Sequence, residues 1–143
     1  LLLHKSFKGI LGTLLTVQLI ILYGCAVSGV VTDKGLFDTS IENVHLTNEP
    51  YFRLYLGGSY QKIPIKQIQV LNISPDTSLI IDRQLYYKAE IILTNGSKVL
   101  SSKDKTKKMP VFVCVENSLQ GKNDQGLYEL HLSELVNLKI NKK

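Results

Sequence analysis

"GSYQKIPIKQIQVLNI" (58–73) and "QGLYELHLSELVNLKI" (125–140) lie over one another without a gap, at an offset of 67 residues. Ile63 coincides with Leu130, Ile65 with Leu132, Ile68 with Leu135, Leu71 with Leu138 and Ile73 with Ile140. The spacing describes a strand, a one-turn corner that keeps Ile68 or Leu135 pointing inward, and a second strand. Single helical turns are expected near Lys66–Ile68 and Ser133–Leu135. Each copy is too small to bury a core alone, so two copies imply two related halves of one body. Convergence of two β-arches on a common pattern is the alternative.

The surrounding sequence is also β. "IENVHLT" (41–47), "YFRLYL" (51–56), "YKAEIILT" (87–94) and "VFVCVE" (111–116) are short runs of β-branched, aromatic and aliphatic residues punctuated by turn signals. Leu85, Tyr87, Ala89, Ile91 and Leu93 alternate with mostly polar neighbours, the pattern of a half-buried strand. Asn95-Gly96 predicts a hairpin with a type I′ turn, and Ser74-Pro75-Asp76 predicts a break. Sustained helical periodicity is absent after Val27. The fold class expected is all-β, a small barrel or sandwich built from two related halves with arches at 58–73 and 125–140, preceded by a signal-peptide helix.

The N-terminus differs in kind. Of 143 residues 44% are hydrophobic, and the excess is concentrated in the first 25. Lys5 and Lys8 precede an apolar run from Ile10 to Tyr23, and Gly24-Cys25 close it. A positive start, a short apolar stretch and a small-residue end are the three parts of a secretory signal. The run is short for a bilayer span, which takes about 20 apolar residues. Met109 is the sole methionine, so Leu1 is expected to be a fragment's first residue or a non-AUG start.

Leu22-Tyr23-Gly24-Cys25 resembles the lipobox of bacterial lipoproteins; Tyr23 departs from the usual Ala or Ser. The resemblance implies cleavage between Gly24 and Cys25, with lipid on the Cys25 thiol. Residues 1–24 are then the lipoprotein signal peptide and 25–143 an exported domain. Ala26, where an Asp would favour inner-membrane retention, implies the outer membrane if the organism is Gram-negative. An uncleaved membrane helix with Cys25 a bystander, and a plain secretory signal, are the other readings. The second half, with the Ile63-Pro64-Ile65 arch of the first, resembles a run common in uncharacterised bacterial envelope proteins. That likeness implies a fold and carries no activity.

Chemistry is sparse. Cys114 sits inside a strand and reads as a buried small hydrophobe. His4 belongs to the signal; His45 and His131 each stand between apolar neighbours and are expected to face solvent. Neither has a ligand partner at metal spacing, so no metal and no cofactor is expected. No nucleophile–base or paired-carboxylate pattern appears, so no catalytic residue is assigned. "SSKDKTKK" (101–108) is the one charge run; Lys103, Lys105, Lys107 and Lys108 are candidates for contact with an anionic surface. Without interleaved aromatics it does not suggest nucleic acid. Tyr51 and Tyr86, each beside a second aromatic, are candidates for a binding face. The function expected is a lipid-anchored cell-envelope protein of binding or structural type, held to the membrane by its N-terminal lipid, with another envelope protein or an anionic surface as partner. A small envelope hydrolase, or an accessory subunit anchored by a membrane helix, is the alternative.

Overall fold

The computed structural model describes residues 26–100 and 110–141. They form ten antiparallel strands: β1 (Gly29–Asp33), β2 (Asp38–Leu46), β3 (Tyr51–Tyr55), β4 (Tyr60–Pro64), β5 (Ile68–Ile81), β6 (Gln84–Leu93), β7 (Val111–Cys114), β8 (Ser118–Asn123), β9 (Gly126–His131) and β10 (Leu135–Ile140). One sheet contains them all in the order β4-β3-β7-β6-β5-β10-β1-β2-β8-β9, curled into a half-barrel. Single 3₁₀ turns join β4 to β5 (Ile65–Gln67) and β9 to β10 (Leu132–Glu134), each one residue earlier than expected.

The repeat is an internal two-fold. β3 pairs with β4 from Tyr51↔Pro64 to Tyr55↔Tyr60, and β8 with β9 from Ser118↔His131 to Lys122↔Leu127. Adding 67 to every position of the first hairpin gives the second, so the repeat reaches back to Tyr51. At the sheet centre β5 meets β10 with Leu71 opposite Leu138, flanked by Asn72↔Asn137 and Val70↔Lys139. Equivalent residues facing one another across an antiparallel pair place the pseudo-axis between those leucines. Both are fully buried.

The halves are β1–β5 and β6–β10, and they exchange strands. β2 pairs with β8, and β7 with β3. Neither half can therefore complete its own sheet. Val31 pairs with Leu138 as Ile91 pairs with Leu71, which sets an offset of 60 for β1 and β6. Gly29 pairs with Ile41 as Ala89 pairs with Val111, which sets 70 for β2 and β7. The change is localised: Lys98 still bridges Ile92 as Asp38 pairs with Thr32. The first half runs directly from Ser40 to Ile41, whereas the second runs from Leu100 to Val111. Residues 101–110, which contain the lysine run, are an insert in the middle of a strand.

The core is apolar throughout, and no polar or charged residue is buried among those described. Burial of β6 follows the alternation in its sequence, with Leu85, Tyr87, Ala89, Ile91 and Leu93 all on the main core. Turns deviate more. Leu93 N–H donates to Ser97 O (2.8 Å) and Gly96 N–H to Leu93 O (2.9 Å). Gly96 has φ 87° while Asn95 is not left-handed, so this is a three-residue loop with glycine at the left-handed position and no type I′ turn. The two-residue turn with both φ positive is Asp82-Arg83 (50° and 66°), between β5 and β6. Ser74-Pro75-Asp76 is no break: β5 continues through it, with three extra residues bulged out between Ser74↔Lys88 and Ser78↔Tyr87. A bulge is where a strand tolerates proline.

Because the first half closes without an equivalent of 101–110, the fold does not need the insert. Deleting those residues and joining Leu100 to Val111 is expected to leave the β-type circular dichroism and a single cooperative unfolding transition intact. Stability should change by no more than about 1 kcal/mol, the scale of a loop-closure term. Loss of cooperativity in chemical denaturation would contradict the assignment of the insert.

Candidate functional site

Gly24, Cys25, Lys103, Lys105, Lys107 and Lys108, as well as the signal segment 1–24, lie outside the described residues. The structure shows what they adjoin. Val27 O accepts from Val44 N–H (2.8 Å), and Ser28 O from Asn141 N–H (2.9 Å). One residue, Ala26, thus separates Cys25 from the hydrogen-bonded fold. At this point a groove of about 390 Å³ opens between Ala26-Val27, the end of β2 and the first 3₁₀ turn. Val27, Val44, Leu46 and Ile65 supply apolar lining, while His45 and Lys66 stand exposed at the rim. Pro64 fixes the turn's start at φ −63°, which directs Ile65 into the core and Lys66 outward.

A second region lies on the outer face of the sheet, over β6 and β7. Tyr86, Phe112 and Cys114 form a small cluster apart from the main core, with Tyr55 and Ile81 packed on it. β7 is consequently buried on both faces. Tyr86, expected to be exposed, is only 3% exposed, because the turn of the long β5–β6 hairpin comes over this face, where Tyr60 OH lies 3.5 Å from Asp82 Oδ2. Tyr51 remains partly exposed, with Lys62 Nζ 3.0 Å from its hydroxyl and 4.6 Å from its ring centre.

Beside this cluster is a polar cavity of about 290 Å³ that includes Glu49, Arg53, Gln84, Cys114, Glu116 and Asn117. Its polar groups chiefly serve one another. Arg53 grips Glu49 with two hydrogen bonds, one Nε to Oε2 at 2.6 Å, which holds the carboxyl below its usual range and raises the guanidinium. Asn117 Oδ1 accepts from Thr47 Oγ1 (3.0 Å), Asn48 N (3.0 Å) and Ser118 N (2.8 Å), which ties the β2–β3 loop to β8. Burial pushes the Cys114 thiol up, and its one side-chain neighbour at hydrogen-bond range is Gln84 Oε1 at 3.8 Å. A protonated thiol is a poor nucleophile. Cys114 is the buried hydrophobe its strand sequence implies.

His45 and His131 face solvent, as their alternation predicts. His131 Nδ1 lies 2.6 Å from Ser133 Oγ and accepts from Ser133 N–H (3.3 Å). This local pair caps the second 3₁₀ turn at the position where the first half has Pro64. Sequence reasoning missed it, because proline and histidine reach the same extended conformation by different means: a ring that fixes φ, and a side-chain hydrogen bond. Among the described residues no three His, Cys, Asp or Glu side chains are grouped to hold a metal ion. Comparison with protein-family models and with curated proteins finds no match.

Burial raises the Cys114 thiol above its ordinary 9.0 and the Tyr86 and Tyr128 phenols above 10.0. All three are neutral when protonated, so their contribution to stability is full below about pH 9 and is lost as unfolded chains ionise first at higher pH. Melting temperature should therefore fall above pH ~9. A Cys114→Val variant should lose the earliest part of that fall, and an alkaline profile identical to the parent's in thermal unfolding would contradict the account.

Proposed function

We propose that this chain is a lipid-anchored binding module of the bacterial cell envelope, without catalytic chemistry of its own. The observation that carries the reading is Cys25. It ends a signal-like apolar run behind Leu22 and Gly24, and the first hydrogen-bonded residue of the fold follows it by two positions. Cleavage before Cys25 leaves all the described strand pairing in place. A diacylglyceryl group on the thiol, with further acylation, would give the two or more chains that stable anchoring takes. Ala26 after the cysteine favours the outer membrane where there is one.

Charge supports the partner class. Residues 25–143 carry 15 Lys and Arg against 12 Asp and Glu once Lys5 and Lys8 are set aside. Residues 101–110 hold four Lys and one Asp, so the entire net charge of +3 in the exported part resides in the insert. A fold that closes without these residues and is electrically even outside them carries its positive charge as an added device. Lys103, Lys105, Lys107 and Lys108 suit an anionic surface, lipid headgroups first, at about 1 kcal/mol per lysine near the membrane. The satisfied polar cavity and the protonated Cys114 favour binding over hydrolysis.

Expression in a bacterium with labelled palmitate tests the anchor. Label on the parent, none on Cys25→Ala, and a mature mass beginning at residue 25 are expected; an unlabelled full-length protein would sink the reading. In vesicle sedimentation, the variant lacking 101–110 should lose most of its salt-sensitive affinity for anionic vesicles. Equal binding by parent and variant would remove the insert from the function.

A further inference from the structure

The internal two-fold assigns a counterpart to Cys25. The offset of 60 that relates Val31 to Ile91 relates Cys25 to Leu85. Leu85 O accepts a hydrogen bond from Val115 N–H (3.0 Å), and its side chain packs, partly buried, against the main core. In the first half the matching place is the groove at Ala26 and Val27, with Val44, Leu46 and Ile65 among its lining residues. Where the second half puts a leucine side chain, the first half has a groove whose wall includes Ala26, the residue that follows Cys25 in sequence.

We propose that this groove seats an acyl chain carried by Cys25. The inference rests on the lipid-anchor reading and adds where the lipid goes. Three observations favour this occupant. Ala26 and Val27 form part of the groove wall, so a substituent on the neighbouring Cys25 starts within one residue, about 3.8 Å Cα to Cα, of the opening. Val44, Leu46 and Ile65 each present an apolar margin to the groove, and Val44 N–H is already spent on Val27 O. The volume, about 390 Å³, is within the ~300–1,000 Å³ range of small-molecule pockets and accommodates part of a hydrocarbon chain. Lys66 and His45 at the rim would then meet the interface where headgroups begin. The result is a domain seated against the bilayer with its first 3₁₀ turn toward the lipid.

The test is to express the full chain in a bacterium fed a palmitate analogue bearing a photoactivatable diazirine, irradiate the membranes, and map adducts by mass spectrometry. Analogue on Cys25 together with adducts on Val44, Leu46 or Ile65 is expected. A Val27→Glu variant, which places a charge on the groove wall, should carry the same Cys25 label and several-fold fewer of those adducts. Label on Cys25 with adducts confined to phospholipid or to residues outside the groove would overturn the groove while leaving the anchor standing. Absence of label from Cys25 would overturn both.

Discussion

Leu71 against Leu138 is the contact on which the molecule turns. An antiparallel pair is symmetric about its own centre, so setting equivalent residues opposite each other makes the local two-fold of β5 and β10 the two-fold of the whole sheet. From that seam each arch must run outward in the same way, through Ile68 or Leu135 and then Ile65 or Leu132, all buried. A slip of β10 by one residue against β5 would turn Leu138 to the outer face, bring Asn137 inward and break the Asn72–Asn137 hydrogen bond. The outer strands then find partners only in the opposite half. β2 closes on β8 and β7 on β3, so the halves cannot separate without opening two further ladders.

Symmetry also shows where the chain departs from it. Gly29 and Ala89 are equivalent, yet a Cβ at Gly29 would stand 2.5 Å from Lys139 O. Gly121 stands where the first half has Leu54, because a Cβ there would meet Glu42 O at 2.8 Å, where β2 bulges across β8. The larger departures are all in peripheral features: the 101–110 insert, the extended β5–β6 hairpin that covers Tyr86 and Cys114, and the groove where the second half places Leu85. A duplicated scaffold leaves such places free to differ, because the shared seam carries the stability. The reading of this protein as an anchored binding module draws on one of these three, the insert, together with Cys25.

The strands with clean alternation were legible. Ile63, Ile65, Ile68, Leu71 and Ile73 repeat at a spacing that nothing but a strand–turn–strand arch satisfies, and all five are buried. β8 left no comparable trace: "SLQGKN" has one large apolar residue, Leu119, and contains Gly121, a residue chosen for its close approach to β2 and weak in intrinsic strand preference. Asp82-Arg83 gave no turn signal because neither residue is glycine or asparagine; the twist of the two paired strands holds both in the left-handed region. Tyr86 misled for a related reason. Strand periodicity distinguishes the two faces of a sheet and does not report what lies over each.

By itself the sequence determined the all-β class, the two-fold repeat and the residues of its seam, since these follow from local periodicity and from a self-comparison of the chain. It also pointed to Cys25 and the lysine run as the places to look for function. Only the tertiary structure decided that the halves exchange strands, that the lysines fall in an insert with no counterpart in the first half, and that a groove opens at Ala26 and Val27. Each of those is a relation between segments far apart in sequence. Strand pairing is set by which backbone edges remain unpaired after the seam has formed, and that is a property of the assembled sheet.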